Sequence, residues 1–244
     1  MAERTTTRGT PMTGPDTGRG TIRVLVVDDQ ALVRAGLVAL LRTDAALAVV
    51  GEAADGHEAI AQAAATAPDV ILMDIRMPDL DGVAATRHIL AHAAGPAPKI
   101  LILTTFDLDE HVFAALRAGA SGFLLKDTPA DQMLAAIATV ARGEVLLAPS
   151  VTRRLVHHFV SAPEPDRRRP EELARLTSQE TAVLHLVGQG LTNQQIATRL
   201  NIAEATVKSH LGRLMTKLKL SSRAQAVVIA YETGLIVPGA GDRT

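Results

Sequence analysis

Five short runs of β-branched and aliphatic residues, at 22–27, 49–53, 70–73, 100–103 and 122–125, recur at nearly even spacing through the first half of the chain. Short runs this rich in β-branched and aliphatic residues, without regular polar alternation, predict buried strands. The segments between them carry apolar residues at helical spacing, as in Ala31, Val33, Leu37, Leu40 and Leu41, and again across 59–65, 83–90, 112–116 and 133–140. Alternation of strand and helix predicts a parallel sheet covered by helices on both sides.

The chain has 244 residues, room for two modest domains at roughly 100–200 residues each. Residues 1–20 are rich in Thr, Gly, Pro and Arg without a hydrophobic period and read as a disordered leader, within which Met12 is an alternative start. The first domain spans 22–147. A short amphipathic stretch at 151–160 and a charged segment with three prolines at 161–170 fill a helix-and-linker region over 148–172. Residues 173–237 show helical patterns alone and predict a second, all-α domain, followed by a tail at 238–244.

Composition removes several function classes. With no cysteine, a disulfide framework, thiolate zinc sites and cysteine nucleophiles are excluded, and an intracellular, cytoplasmic location is the expectation. No apolar run approaches the roughly 20 residues of a membrane helix, so no membrane partner is expected. One Tyr, four Phe and no Trp cannot build a stacking platform for single-stranded nucleic acid. The formal net charge of -1 conceals an asymmetry: residues 22–147 hold 9 Lys/Arg against 16 Asp/Glu, whereas 173–237 hold 7 against 3. An acidic first domain and a basic second one separate two jobs.

Strand one runs into Asp28 and Asp29, and strand three into Asp74. Three carboxylates at the carboxyl ends of parallel strands stand where open α/β sheets bind ligands. Their mutual repulsion calls for a cation, and oxygen-only ligands favour magnesium. Thr104 and Lys126 end the fourth and fifth strands. A hydroxyl and an ammonium suit the oxygens of a phosphorylated aspartate, so the five residues predict a phosphoryl-transfer site centred on Asp74. Asp55, Asp79 and Asp81 adjoin Gly or Pro and read as turn residues, while His57, His88, His92 and His111 read as surface histidines.

The segments Ile22-Arg-Val-Leu-Val-Val-Asp-Asp29, Met73-Asp-Ile-Arg-Met-Pro-Asp-Leu-Asp-Gly82, Leu103-Thr-Thr-Phe106 and Gly119-Ala-Ser-Gly-Phe-Leu-Leu-Lys126 together resemble a response-regulator receiver domain. That resemblance implies a flavodoxin-like α/β fold with five parallel strands in the order 2-1-3-4-5. It implies that Asp74 accepts phosphate from a histidine kinase and that Asp29, Asp74 and the main-chain carbonyl of Arg76 bind Mg2+, with Asp28 assisting through water. Thr104 and Phe123 would be the switch pair, Phe123 turning inward on phosphorylation. Asp127 follows the lysine where many receivers have Pro.

In the second domain, Thr177-Ser-Gln-Glu180 and Thr192-Asn-Gln-Gln195 match the capping box, in which a hydroxyl and an acid or amide satisfy free backbone donors reciprocally. Helices therefore start near Ser178 and Asn193. Two apolar stripes, Ile196, Ala197, Leu200 and Ile202, then Val207, Leu211, Leu214 and Leu218, are joined by a short turn at 201–204, the spacing of a helix-turn-helix. The second of these helices carries Lys208, Ser209, His210, Arg213 and Lys217, and an α-helix fits the major groove of B-DNA.

These motifs, with the 217–226 segment, resemble the LuxR-type DNA-binding domain, and the pair of domains resembles a NarL/FixJ-type response regulator. The resemblance implies a four-helix domain in which Lys208 and Ser209 face bases. Thr206, Asn193, Gln194, Arg213, Lys217 and Arg223 would hold phosphates, and Ala224, Val227, Val228 and Tyr231 would mediate dimerisation. Two departures stand out: Ala203 replaces the usual Ser cap of the recognition helix, and Gly212 stands where some relatives carry a base-contacting lysine.

The resulting expectation is a phosphorylation-regulated transcriptional regulator of a two-component system. Its partners would be a histidine kinase, double-stranded promoter DNA, a second copy of itself and RNA polymerase. Its only chemistry would be self-phosphorylation and slow self-dephosphorylation at Asp74. An alternative is an atypical regulator that binds DNA without phosphorylation. An aspartyl-phosphate phosphatase is disfavoured, because its acid/base carboxylate would stand two residues after the nucleophile, where this chain has Arg76.

Overall fold

The computed structural model describes residues 20–104, 109–143 and 173–236, with side chains from 113 onward in the second span. The expected leader and tail, the 151–160 stretch, the proline-containing linker and His111 lie outside the described residues or side chains. The first unit comprises β1 (Ile22–Val27), α1 (Ala31–Leu41), β2 (Leu47–Ala53), α2 (Gly56–Thr66), β3 (Val70–Asp74), α3 (Gly82–Ala91), β4 (Lys99–Thr104), α4 (Asp109–Ala118), β5 (Gly122–Leu125) and α5 (Ala130–Ala141). Its five strands pair in parallel in the order β2-β1-β3-β4-β5.

Successive side chains of a strand point to opposite faces, and the two faces bury different helices. Leu25, Val27, Ile71, Met73, Ile100, Ile102 and Phe123 pack against α2, α3 and α4. Val24, Val26, Leu72, Leu101, Leu103 and Leu124 pack against Leu37, Val38 and Leu41 of α1 and Met133, Ile137 and Val140 of α5. The chain leaves β1 outward to β2 and returns past it to β3, so the order reverses between β1 and β3. That reversal opens a crevice at the carboxyl ends of the strands.

Two expected turns have a more specific use. Asp55 caps α2 by accepting from the Glu58 amide at 2.9 Å, and Asp81 caps α3 by accepting from the Ala84 amide at 2.7 Å. Asp79 adopts the left-handed conformation (φ 61°), a region that Asp tolerates better than most residues.

The second unit contains α6 (Ser178–Gly188), α7 (Asn193–Leu200), α8 (Glu204–Lys217) and α9 (Arg223–Glu232). Both expected capping boxes form, and Ser222 with Gln225 makes a third at the start of α9. Ala203 leaves α8 without a side-chain cap. Asn201 (φ 53°) makes the turn between α7 and α8. The Gly188-Gln189-Gly190 segment ends α6. In it Gly188 has a packing role. It is the last helical residue, where a Cβ would meet the Ile236 side chain at 2.3 Å, and Gly190 (φ +82°) makes the turn.

Val183, Leu184, Val187, Ile196, Val207, Leu211 and Leu214 form the core of this unit with Val227 and Ala230 of α9. The opposite face of α9 leaves that core. Ala224 and Val228 are buried in the cluster between the sheet and α2–α4 of the first unit.

Candidate phosphoacceptor pocket and nucleic-acid interface

Parallel pairing of Val27 with Met73 sets Asp28 and Asp74 side by side at the reversal point. Pairing of Thr104 with Leu125 brings Thr104 and Lys126 to the same rim, where the Lys126 amide donates to the Thr104 carbonyl at 2.9 Å. The Lys126 Nζ lies 2.7 Å from Asp28 Oδ2 and 2.8 Å from Asp74 Oδ2. Asp28, Asp74 and Thr104 are buried, whereas Asp29 is exposed. Asp28 Oδ1 accepts from the Gln30 amide, and Arg34 donates to the Asp28 carbonyl, fixing the turn out of β1.

Burial pushes the Asp74 carboxyl up from the ordinary aspartate value of 3.8, opposed by the hydrogen bond and charge of Lys126; the neighbouring Asp28 adds to the rise. Lys126 is itself raised above 10.5, because two carboxylates outweigh its own desolvation. Both shifts describe one ammonium serving two acids. A carboxylate oxygen from each of Asp28, Asp29 and Asp74 lies within 4.8 Å of the others, a hard, all-oxygen donor set that fits Mg2+.

The rim imposes a backbone demand that its acids do not announce. A Cβ at Gly82 would lie 1.9 Å from the Asp74 carbonyl oxygen, and the Gly82 amide donates to the Ile75 carbonyl at 2.9 Å. The chain passes so close behind Asp74 that only glycine fits. Phe123 is 1 % exposed and belongs to the cluster between the sheet and α2–α4. His57, His88 and His92 are exposed, and the last two stack with ring centroids 4.2 Å apart.

In the second unit the outer face of α8 presents Thr206, Lys208, Ser209, Gly212 and Arg213, all exposed, and Gln194 of α7 is exposed as well. Lys208 pairs with Glu204 one turn earlier at 2.8 Å. Two expected phosphate ligands are already engaged. Lys217 Nζ lies 2.6 Å from Glu180 Oε2, and that carboxylate also accepts from the Thr177 amide at 2.8 Å. Arg223 is 8 % exposed, and its guanidinium donates to Asn193 Oδ1 and the Leu191 carbonyl. Arg223 and Asn193 thus join α9 to the start of α7, and the buried Arg223 guanidinium is turned to that contact.

The four residues expected at a dimer surface divide. Val227 and Tyr231 belong to the core of their own unit, and Ala224 and Val228 face the first unit. The third capping box escaped the sequence reading although Ser222-x-x-Gln225 carries the same signature as the other two.

Residues 24–138 match the family described as "Response regulator receiver domain", and residues 174–230 match "Bacterial regulatory proteins, luxR family". The transcriptional regulatory protein YxjL of Bacillus subtilis (strain 168) is 42 % identical over 216 residues, covering 88 % of this chain and 97 % of that protein. The response regulator VraR of Staphylococcus aureus (strain NCTC 8325 / PS 47) is 39 % identical, covering 88 % of this chain and 99 % of that one. Among solved structures, a LuxR-family two-component response regulator from Aurantimonas sp. SI85-9A1 is 33 % identical with a TM-score of 0.54, covering 58 % of this chain and all of that one. Sheet order, acidic rim and helix-turn-helix agree with these likenesses: the chain belongs to the NarL-type response regulators, which join a receiver domain to a LuxR-type DNA-binding domain.

Proposed function

We propose that Asp74 takes a phosphoryl group from a histidine kinase, and that this modification controls dimerisation and binding to double-stranded promoter DNA in the cytoplasm. The observation that carries this reading is the buried Asp74 carboxylate held 2.8 Å from Lys126 and beside two further acids.

The Asp74 carboxylate attacks phosphorus and the donor imidazole leaves. Lys126, already within bonding distance of Asp74, moves with the new charge onto a phosphoryl oxygen, and the Thr104 hydroxyl takes another. Asp28, Asp29, Asp74 and the main-chain carbonyl of Arg76 would hold Mg2+, which when bound neutralises charge on the phosphoryl oxygens. Phe123, on β5 three residues before Lys126, couples the pocket to the α4 side of the sheet.

On DNA, α8 enters the major groove. Lys208 and Ser209 address bases, and Thr206, Gln194 and Arg213 address phosphates. Two copies meet through α9, and RNA polymerase is the partner downstream. The test is an Asp74→Asn variant beside the parent, each with and without acetyl phosphate and Mg2+. The parent gains affinity for its operator in gel shifts and the variant gains none. Equal gains in both would overturn the reading.

A further inference from the structure

The exposed face of α8 carries an acceptor and a donor side by side. Glu204 opens the helix and Lys208 follows one turn later, with Oε1 and Nζ 2.8 Å apart and both side chains exposed. Residues four apart lie on one face of a helix, so the same stripe continues to Gly212. Ala205 and Ser209, both exposed, flank it with short side chains. Nothing stands within 4 Å of where a Cβ at Gly212 would lie. Glu204 and Lys208 are therefore the longest polar side chains on the exposed face of the first two turns, and bare helix follows them.

A carboxylate at this position calls for an explanation. A helix that approaches DNA approaches phosphates, and an acid in its first turn opposes that approach by like charge. Glu204 does offset the positive end of the helix, which Ala203 leaves without a side-chain cap. Thr206, two residues from Lys208 and so off its stripe, could carry an acid for that purpose equally well.

An adjacent donor and acceptor match the edge of one G·C base pair. In the major groove guanine offers two acceptors, N7 and O6, and the paired cytosine offers its N4 amino donor beside them. Lysine serves the guanine acceptors, and glutamate accepts from N4. An A·T pair gives an ammonium one purine acceptor, followed by the N6 donor, thymine O4 and a methyl group. The second half of that edge sets an acceptor and an apolar carbon against a carboxylate.

We propose that Glu204 and Lys208 act as one unit that reads a G·C pair in each half-site, Lys208 on the guanine and Glu204 on the amino group of the paired cytosine. In the free protein the two side chains neutralise each other. On a G·C pair each exchanges its partner for a base, whereas elsewhere Glu204 is left facing an acceptor or a phosphate, so it is the residue that sets the choice. This rests on the reading above that α8 enters the major groove.

The test starts from a pool of random-sequence DNA duplexes, bound by the full chain with acetyl phosphate and MgCl2, from which the preferred half-site is selected. Replacing the read G·C pair by A·T is expected to lower the affinity of the parent about tenfold, in the range of one good base contact. Glu204→Asp keeps the charge but draws the carboxylate back by a methylene. Glu204→Gln removes the charge and adds an amide that suits adenine, and Lys208→Met removes the ammonium. Each variant is expected to reduce the cost of that replacement to about threefold or less, with preferences at separate pairs within about twofold of the parent. Thermal melts of the same proteins run in parallel.

If Glu204→Asp behaves like the parent while Glu204→Gln binds every duplex more tightly by one common factor, Glu204 is a repelling charge alone and the proposal is overturned. A lowered melting midpoint with all base preferences intact makes it a helix-end acid alone and overturns the proposal too. If Lys208→Met changes the preference at a base pair and neither Glu204 variant does, Lys208 reads alone and only the inference about Glu204 fails. If no sequence is enriched from the pool, or Lys208→Met leaves every preference in place, the reading that α8 presents Lys208 to bases fails with it.

Discussion

The Lys126 Nζ sits between Asp28 and Asp74, 2.7 Å from one carboxylate and 2.8 Å from the other. One ammonium therefore balances two buried acids, and a third acid, Asp29, waits at the exposed edge. The pocket is short of positive charge, a shortage that a divalent cation would correct.

Replacing Lys126 with Met removes the ammonium that bridges the two buried carboxylates. Breaking a buried pair on one side costs about 3–5 kcal/mol, less whatever Asp74 recovers by taking up a proton. The variant unfolds at lower urea concentration than the parent in the absence of divalent ions. Added MgCl2 then stabilises the variant more than the parent, because the acids have lost their competing cation. Urea midpoints with and without MgCl2 at matched ionic strength check this; equal gains would place the ion elsewhere.

Gly82→Ala tests the backbone behind the phosphoacceptor. A methyl group placed 1.9 Å from the Asp74 carbonyl oxygen must push apart the end of β3 and the start of α3, both held by main-chain hydrogen bonds. The expected loss is about 3 kcal/mol, at the upper end of overpacking costs, together with slower labelling of Asp74 by acetyl phosphate. Unchanged labelling and stability would show that the rim yields more easily than its geometry implies.

Much of this pocket was legible in the sequence because strand ends are legible. Apolar runs stop where Asp28, Asp74, Thr104 and Lys126 begin, and parallel pairing leaves little freedom in where those side chains converge. Gly82 was not legible as a site residue, since its constraint is a carbonyl brought close by tertiary folding and its own neighbours say only that a helix starts. The docked arrangement was hidden for a related reason. Ala224 and Val228 satisfy any apolar surface equally well, and nothing local tells α9 whether a receiver or a second copy will cover them. The LuxR-type resemblance implies that Arg223 and Lys217 are phosphate ligands, yet their partners, Asn193 and Glu180, sit 30 and 37 residues away.

Those two residues differ from Arg213 in a measurable way. Arg213→Ala removes an exposed charge on the outer face of α8, so it weakens binding to every DNA sequence alike and reduces the salt slope by about 1. Arg223→Ala instead loosens the contact between α7 and α9 and lowers the unfolding midpoint of the helical domain. Arg223→Lys does not rescue it, because a lysine cannot reach Asn193 and the Leu191 carbonyl with one planar fork. Operator titrations across a salt series, paired with thermal melts, distinguish the two classes; a salt-slope change for Arg223→Ala with an unchanged melt would reverse the assignment.

Glu180 supplies a pH signature for the same domain. The Lys217 ammonium, and after it the Thr177 amide, hold this carboxyl below the usual glutamate value of 4.5. A group whose folded value is depressed contributes stability above its unfolded value, and that contribution disappears as pH falls through the lowered folded value. The helical domain should therefore lose stability on acidification below pH 4.5, and Glu180→Gln should flatten that slope. Glutamine still accepts from the Thr177 amide, so the cap survives while the charge on Lys217 loses its partner. The loss at neutral pH should be about 1–2 kcal/mol, in the range of hydrogen bonds to charged groups. Because Lys217 ends the recognition helix, the variant should also weaken operator binding without changing the salt slope. Parallel melts of parent and variant from pH 3 to pH 7 decide the matter, and coincident slopes would mean that the pair contributes nothing to folding.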